Sequence, residues 1–250
     1  MNPDNLLQIY ASSFRQNWEL PALTDYGTKA TMTYADLARR IAATHMLFRT
    51  CGVKRGDKIA LMGRNSIPWV EIYMATLTYG AVIVPILHDF NVQDATHIIN
   101  HSGSVMLFVN ESIFEHIEFE KIPEVRVVFS LDSRKVLAEH PANSRMAEKF
   151  LERLPERMRR IYPHGFTSAD VEYPEIDENT LAEINYTSGT TGFSKGVMLT
   201  LRNLGGNVRY GLKSHLHYRG SRNVSFLPLA HAYGCAFDML VPLAAGTHIT

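Results

Sequence analysis

Cysteine is scarce in this chain: its 250 residues include only Cys51 and Cys235. Both sit among apolar neighbours, which suits free core thiols in a reducing compartment and argues against a disulfide-stapled fold. An excess of one charge is missing too. Lys plus Arg and Asp plus Glu number 25 each, a formal net charge of zero, so no global field favours nucleic acid or an anionic membrane surface, and any anion must be held locally. Long hydrophobic runs are absent. The most apolar stretch, 77–87, has about half of the roughly 20 residues a membrane-spanning helix needs and reads as a helix end plus a strand. The first residues, MNPDNLLQIYASSFRQNW, lack a basic n-region and an apolar h-region, so neither secretory signal nor anchor is expected and a cytoplasmic location is. Core-forming material is plentiful. Hydrophobic residues make up 46% and charged ones 20%, as in a folded globular chain, and the length gives a prior of about 1.7 domains.

The hydrophobic period changes repeatedly along the chain. Leu6, Leu7, Ile9, Tyr10 and Phe14 mark an amphipathic helix, followed by a loop around Pro21 and Gly27. Thr33 with Asp36 is a helix opening, and Leu37, Ile41, Met46, Leu47 and Phe48 recur at helical spacing until Gly52 stops them. Beyond it, strands are expected over 59–62, 81–86, 105–109 and 125–129 and helices over 68–79 and 94–101. Near-continuously apolar strands alternating with helices predict βαβ units, that is, an α/β fold with a mainly parallel sheet flanked by helices. Between 131 and 180 the pattern weakens into a surface excursion whose basic run, broken by Glu152 and Glu156, reads as a solvated helix face. At the far end, Ala245-Gly-Thr-His-Ile-Thr250 resembles a strand just beginning. A sheet cut there would leave an unpaired edge and an apolar face, and the chain would self-associate.

The chemistry concentrates in Ile184-Asn-Tyr-Thr-Ser-Gly-Thr-Thr-Gly-Phe-Ser-Lys-Gly-Val-Met-Leu-Thr200. Two apolar strands flank a loop holding Thr187, Ser188, Gly189, Thr190, Thr191, Gly192, Ser194, Lys195 and Gly196. Glycines let successive amides point at one spot, hydroxyls add neutral donors, and a lysine supplies a point charge for phosphate oxygens. The mixture suits an oligophosphate, although by composition a plain Gly/Ser/Thr hairpin loop stands beside that reading. It is neither a Walker A loop, since Gly196 rather than a hydroxyl residue follows the lysine, nor a dinucleotide fingerprint, since the Gly-x-Gly-x-x-Gly spacing is missing.

The order of these residues resembles the phosphate-binding signature of the adenylate-forming superfamily, which includes acyl-CoA synthetases, non-ribosomal peptide adenylation domains and luciferases. Met32-Thr-Tyr-Ala-Asp-Leu, Gly56-Asp-Lys-Ile-Ala-Leu-Met-Gly-Arg-Asn-Ser and Gly80-Ala-Val-Ile-Val-Pro agree with further blocks in the expected order. Phe226-Leu-Pro-Leu-Ala-His-Ala-Tyr-Gly234 is similar to the segment lining the acyl site, in the version typical of long-chain fatty acid–CoA ligases. Ser194 stands where many relatives have proline and Leu201 where many have histidine.

The resemblance implies that Thr187, Ser188, Gly189, Thr190, Thr191, Gly192 and Lys195 bind ATP phosphates with Mg²⁺. It implies further that Lys195 is the phosphate-stabilising candidate, and that His231 and Gly234 face the substrate carboxylate. The implied reaction joins a fatty acid to AMP and then to CoA. Family members continue past this point, so residues 1–250 are expected to be the N-terminal part of the large AMP-binding domain and inactive alone. Other acyl- or amino-acid-adenylating enzymes and a non-catalytic nucleotide- or acyl-binding module are the competing readings. His97 and His101, and His215 and His217, have spacings that can bind metal but lack a further ligand, so no zinc is expected. Trp69, Tyr73 and Tyr79 read as core, and Ser188 and Ser225 lack a serine-hydrolase setting.

Overall fold

The computed structural model describes residues 5–143, 145–187 and 195–250. Helix α1 (Leu6–Gln16) opens where the Asn5 side chain accepts from the Leu7 amide. It leads into a hairpin of β1 (Pro21–Thr24) and β2 (Thr31–Thr33), where the local pattern suggested only a loop. Strands this short carry little periodicity. Helix α2 (Tyr34–Thr50) begins at the anticipated Thr33–Asp36 capping box. Then β3 (Lys58–Met62), α3 (Ile67–Tyr79), β4 (Val82–Ile86), α4 (Val92–Ser102) and β5 (Ser104–Val109) alternate as their periods foretell. Both helices stop at glycines in the left-handed region, Gly80 (φ 84°) and Gly103 (φ 67°), a conformation an L side chain resists.

A short α5 (Glu111–Phe114) precedes β6 (Val127–Ser130). The stretch read as a surface excursion contains β7 (Val136–Glu139), which extends the sheet, and α6 (Met146–Ile161), whose Ala147 and Phe150 are buried. Next come β8 (Leu181–Thr187), β9 (Lys195–Thr200), α7 (Leu201–Lys213) and β10 (Arg222–Asn223). A π-helical stretch, Gly234–Leu240, runs into α8 (Val241–Ala245), and β11 (His248–Ile249) follows.

The large sheet has the order β7-β6-β5-β3-β4-β8-β9. Its five central strands are parallel, while β7 and β9 run antiparallel at the edges. Alternate residues of one strand feed different cores. Ile59 and Leu61 join Phe108 and Phe129 in the core under α1, α2 and α3, while Ala60 and Met62 join Leu107, Val128 and the α4 residues Ile98 and Ile99 in the other. Coverage on both faces explains why these strands read as continuously apolar. A second sheet, β10-β11-β1-β2, ties the two chain ends together: Ile249 pairs with Leu23 on one side and Asn223 on the other. Strand β11 is therefore internal to its sheet, and the open edge expected at Ile249 is not there.

Candidate active site at the carboxyl ends of the parallel strands

Strands β8 and β9 form an antiparallel hairpin in which Thr187 is the partner of Lys195 and Tyr186 that of Gly196. The two flanks of the Gly- and hydroxyl-rich segment thus meet at the carboxyl end of a parallel strand, the edge where open α/β sheets bind ligands. Ser188, Gly189, Thr190, Thr191 and Gly192 lie outside the described residues; Thr187 and Lys195 are exposed beside them. Gly196 has a steric reason. A Cβ there would sit 2.8 Å from Ile184 Cγ2 and 3.1 Å from Tyr186 Cζ, so a side chain would have to displace those two on the facing strand.

The second segment, 226–234, folds over the same edge. Asn65, just past β3, grips it through two backbone groups: its Nδ2 donates to the Leu227 carbonyl at 2.7 Å and its Oδ1 accepts from the Leu229 amide at 2.9 Å. From β8, Asn185 Nδ2 reaches the Ala230 carbonyl at 3.3 Å. A tight turn follows, in which the His231 amide donates to the Pro228 carbonyl. His231 is exposed, and its Nδ1 accepts from the Tyr233 amide at 3.3 Å, capping the helical turn that leads into the π-helical stretch. Gly234 is buried where a Cβ would lie 2.5 Å from the Pro228 carbonyl oxygen, so only glycine closes this turn. Lys195 and His231 therefore stand on separate segments held to one end of the sheet.

Beneath them lies a polar cluster. Glu183, 1% exposed on the apolar β8, accepts from the Tyr73 hydroxyl at 2.5 Å and from Asn185 Nδ2 at 2.9 Å. Burial pushes the Glu183 carboxyl up from its usual range, against the pull of those two hydrogen bonds. Cys235, at the start of the π-helical stretch, is buried too, and burial raises its thiol well above an ordinary one. Through Asn185, which bonds both Glu183 and the Ala230 carbonyl, the cluster ties α3 and β8 to the 226–234 segment. Asn65, Asn185 and Glu183 were missed as site residues in the sequence. The available signal was an acid and an amide inside an otherwise apolar strand running into a glycine-rich loop.

The weaker candidates resolve structurally. His101 Nδ1 pairs with the Tyr186 hydroxyl at 2.7 Å and its ring stacks on His97. Trp69 and Tyr73 are fully buried, as read, and Tyr79 donates to the Val53 carbonyl. Among the described residues no group of three or more His, Cys, Asp or Glu could hold a metal ion. Both cysteines are free and buried, and no described helix is long and apolar enough to cross a membrane.

A mainly parallel α/β sheet with this hairpin and this clamped segment defines the N-terminal part of an adenylate-forming fold. The AMP-binding enzyme family matches residues 11–250, and the chain belongs to that family. It is similar to the probable acyl-activating enzyme 16, chloroplastic, of Arabidopsis thaliana, with 29% identity over 93% of this chain and 33% of that protein. It is 25% identical to the long-chain-fatty-acid–CoA ligase of Salmonella typhimurium, over 98% of this chain and 46% of the relative. Among solved structures, ATP-bound MatB from Rhodopseudomonas palustris shares the fold with a TM-score of 0.74 and 20% identity, over 98% of this chain and 45% of that one. The chain thus spans between a third and a half of the length of these curated relatives.

Proposed function

We propose that this chain is the N-terminal part of the large domain of an ATP-dependent fatty acid–CoA ligase. The observation that carries the reading is the β8–β9 hairpin, which aligns Thr187 with Lys195 around the glycine and hydroxyl cluster beside the segment bearing His231. In this reading the loop from Thr187 to Lys195 holds the β- and γ-phosphates of ATP. Lys195 offsets the charge that builds on pyrophosphate, and His231 and Gly234 face the acid. A fatty carboxylate oxygen attacks the α-phosphorus, and the bond to the bridging oxygen breaks, giving acyl-adenylate and pyrophosphate. The CoA sulfur then attacks the acyl carbon, its proton passes to solvent, and AMP leaves. Mg²⁺ would enter with ATP in this reading, and would supply charge neutralisation on the phosphates. The cytoplasm is the compartment this chemistry fits.

The reading also covers what lies outside the chain. Adenine, ribose and CoA contacts belong to sequence beyond 250, so this chain alone does not form thioester. Its exposed apolar side chains, among them Met198, Tyr210 and Phe226, are covered by that sequence in the longer protein, and the chain self-associates without it. Fatty-acid-dependent ATP–pyrophosphate exchange tests the proposal, run on this chain and on the longer protein that contains it. Exchange in the longer protein only, abolished by Lys195→Ala, is the expected result. Exchange with amino acids instead of fatty acids would move the reading to another adenylating enzyme, and none with any acid to a binding module.

A further inference from the structure

On the side of the large sheet that carries α2 and α6, a cavity of about 260 Å³ opens between α2, α3, α6 and strands β5 and β6. None of the residues placed at the candidate active site lines it. Its floor is aromatic. Phe108, Phe129 and Phe150 are 4%, 2% and 2% exposed, with the first two rings stacked at 5.0 Å, and Leu47 completes the wall. Its mouth is cationic, since the Arg40 and Arg134 side chains are 42% and 45% exposed.

The charges at this mouth do not balance. Glu71, only 3% exposed, receives Arg134 in a forked pair of hydrogen bonds and Arg40 Nη1 at 3.5 Å, and accepts from the Thr44 hydroxyl at 3.2 Å. One carboxylate thus serves two guanidinium groups. Arg39, the remaining cation of the lining, is paired with Asp36. With Asp36 counted, the lining thus carries one more positive than negative charge, at a half-exposed mouth beside an apolar floor. Arg134 holds its position from a left-handed backbone conformation (φ 62°), which a non-glycine residue adopts at a cost.

We propose that this cavity is a second ligand site, for a single-chain fatty carboxylate whose tail lies on the phenylalanines and whose head completes the charge balance of Arg40 and Arg134. Arg134 already presents its fork to one carboxylate, that of Glu71, the geometry in which arginine pairs most strongly, and Arg40, with a single 3.5 Å contact, keeps donors for a second. The volume is below the roughly 300–1,000 Å³ of pockets that take drug-sized ligands, so one short or medium chain fits and a two-chain lipid does not. The site is independent of the adenylation reading, because nothing in it touches Lys195 or His231.

Decanoate binding by calorimetry, without ATP, tests this on the chain, with decanol and butyrate as controls. Ala43→Trp, which fills the cavity, is expected to weaken decanoate at least tenfold, the equivalent of about 1.4 kcal/mol. Arg134→Gln should weaken it about fivefold and Lys195→Ala should leave it unchanged. Decanol binding as tightly as decanoate, or butyrate doing so, would overturn the head-and-tail assignment. A decanoate analogue carrying a photoreactive tail locates the site in the unmodified protein, so the test survives a variant that fails to fold. Labelled peptides from α6 or from the β5–β6 floor are expected. Labelling confined to 226–240, or no decanoate binding up to its solubility limit, would remove the proposal. Loss of ATP–pyrophosphate exchange with this site intact would count against the ligase reading alone.

Discussion

From β3 to β8 the parallel strands of the large sheet are covered on both faces, whereas from β9 onward large apolar side chains stand in solvent. Of the large hydrophobic residues exposed among the described positions, all but Tyr26 and Ile161 fall between Val197 and Tyr233. The closed region carries the alternating cores and the buried anchor of Glu183; the open one carries the clamped segment with His231 and the outer strand of the hairpin. A folded chain rarely leaves a contiguous apolar patch without a partner for it. The two regions therefore differ in how they are packed: the first closes its apolar residues on itself, and the second leaves several of its own in solvent.

Core truncation should separate the regions most sharply. Phe129 stacks on Phe108 in the closed region, and Phe129→Ala is expected to lower unfolding free energy by about 3–5 kcal/mol in urea titration. A loss below about 1 kcal/mol would mean that the closed region is not a rigid core.

A pH titration comes next in size. His45 is held neutral, its Nε2 at 3.0 Å from the Ala75 carbonyl, and burial pushes its pKa down to about 4. In the unfolded chain the ring titrates near 6.5. The neutral ring's contribution is thus fully present above about 6.5 and is lost as pH falls toward 4, where the unfolded state takes up the proton first, on the order of 2–3 kcal/mol. His45→Gln should flatten the stability profile between those limits, and an unchanged slope would show that the ring is not buried in solution.

Two substitutions probe the seam where the regions meet. Gly234→Ala sets a methyl against the Pro228 carbonyl oxygen and is expected to cost about 1–3 kcal/mol, since backbone cannot step aside as a side chain can. Asn65→Ala removes both bonds to Leu227 and Leu229, at about 1–2 kcal/mol. Under the proposed ligase function, the same change in the longer protein should raise KM for the acid more than it lowers kcat, since Asn65 holds the backbone of the 226–234 segment.

Legibility in the sequence follows the same seam. The βαβ order was readable because strands covered on both faces are apolar throughout and helices between them end in Gly80 and Gly103. The β1–β2 hairpin was not, because both strands are short and the other partner of β1, β11, lies more than 200 residues away. Nor was β7, an edge strand of intermediate burial without an alternating pattern. At the site, Lys195 and His231 stood out through their neighbours in sequence. Asn65 and Asn185 act on backbone groups far along the chain, which no local spacing encodes.

The smallest expected effect on stability is the one that sharpens the comparison most. Met198 is 65% exposed on β9, so it makes little packing that folding depends on. Met198→Ser should change unfolding free energy by less than about 0.5 kcal/mol. If the open face drives association, the same change should shift the chain toward monomer in light scattering at high concentration. Arg160→Ser, on the polar side of α6, should not. A chain that is monomeric before the substitution would show the apolar face to be tolerated in water, and self-association would fall while the closed core and the hairpin stood.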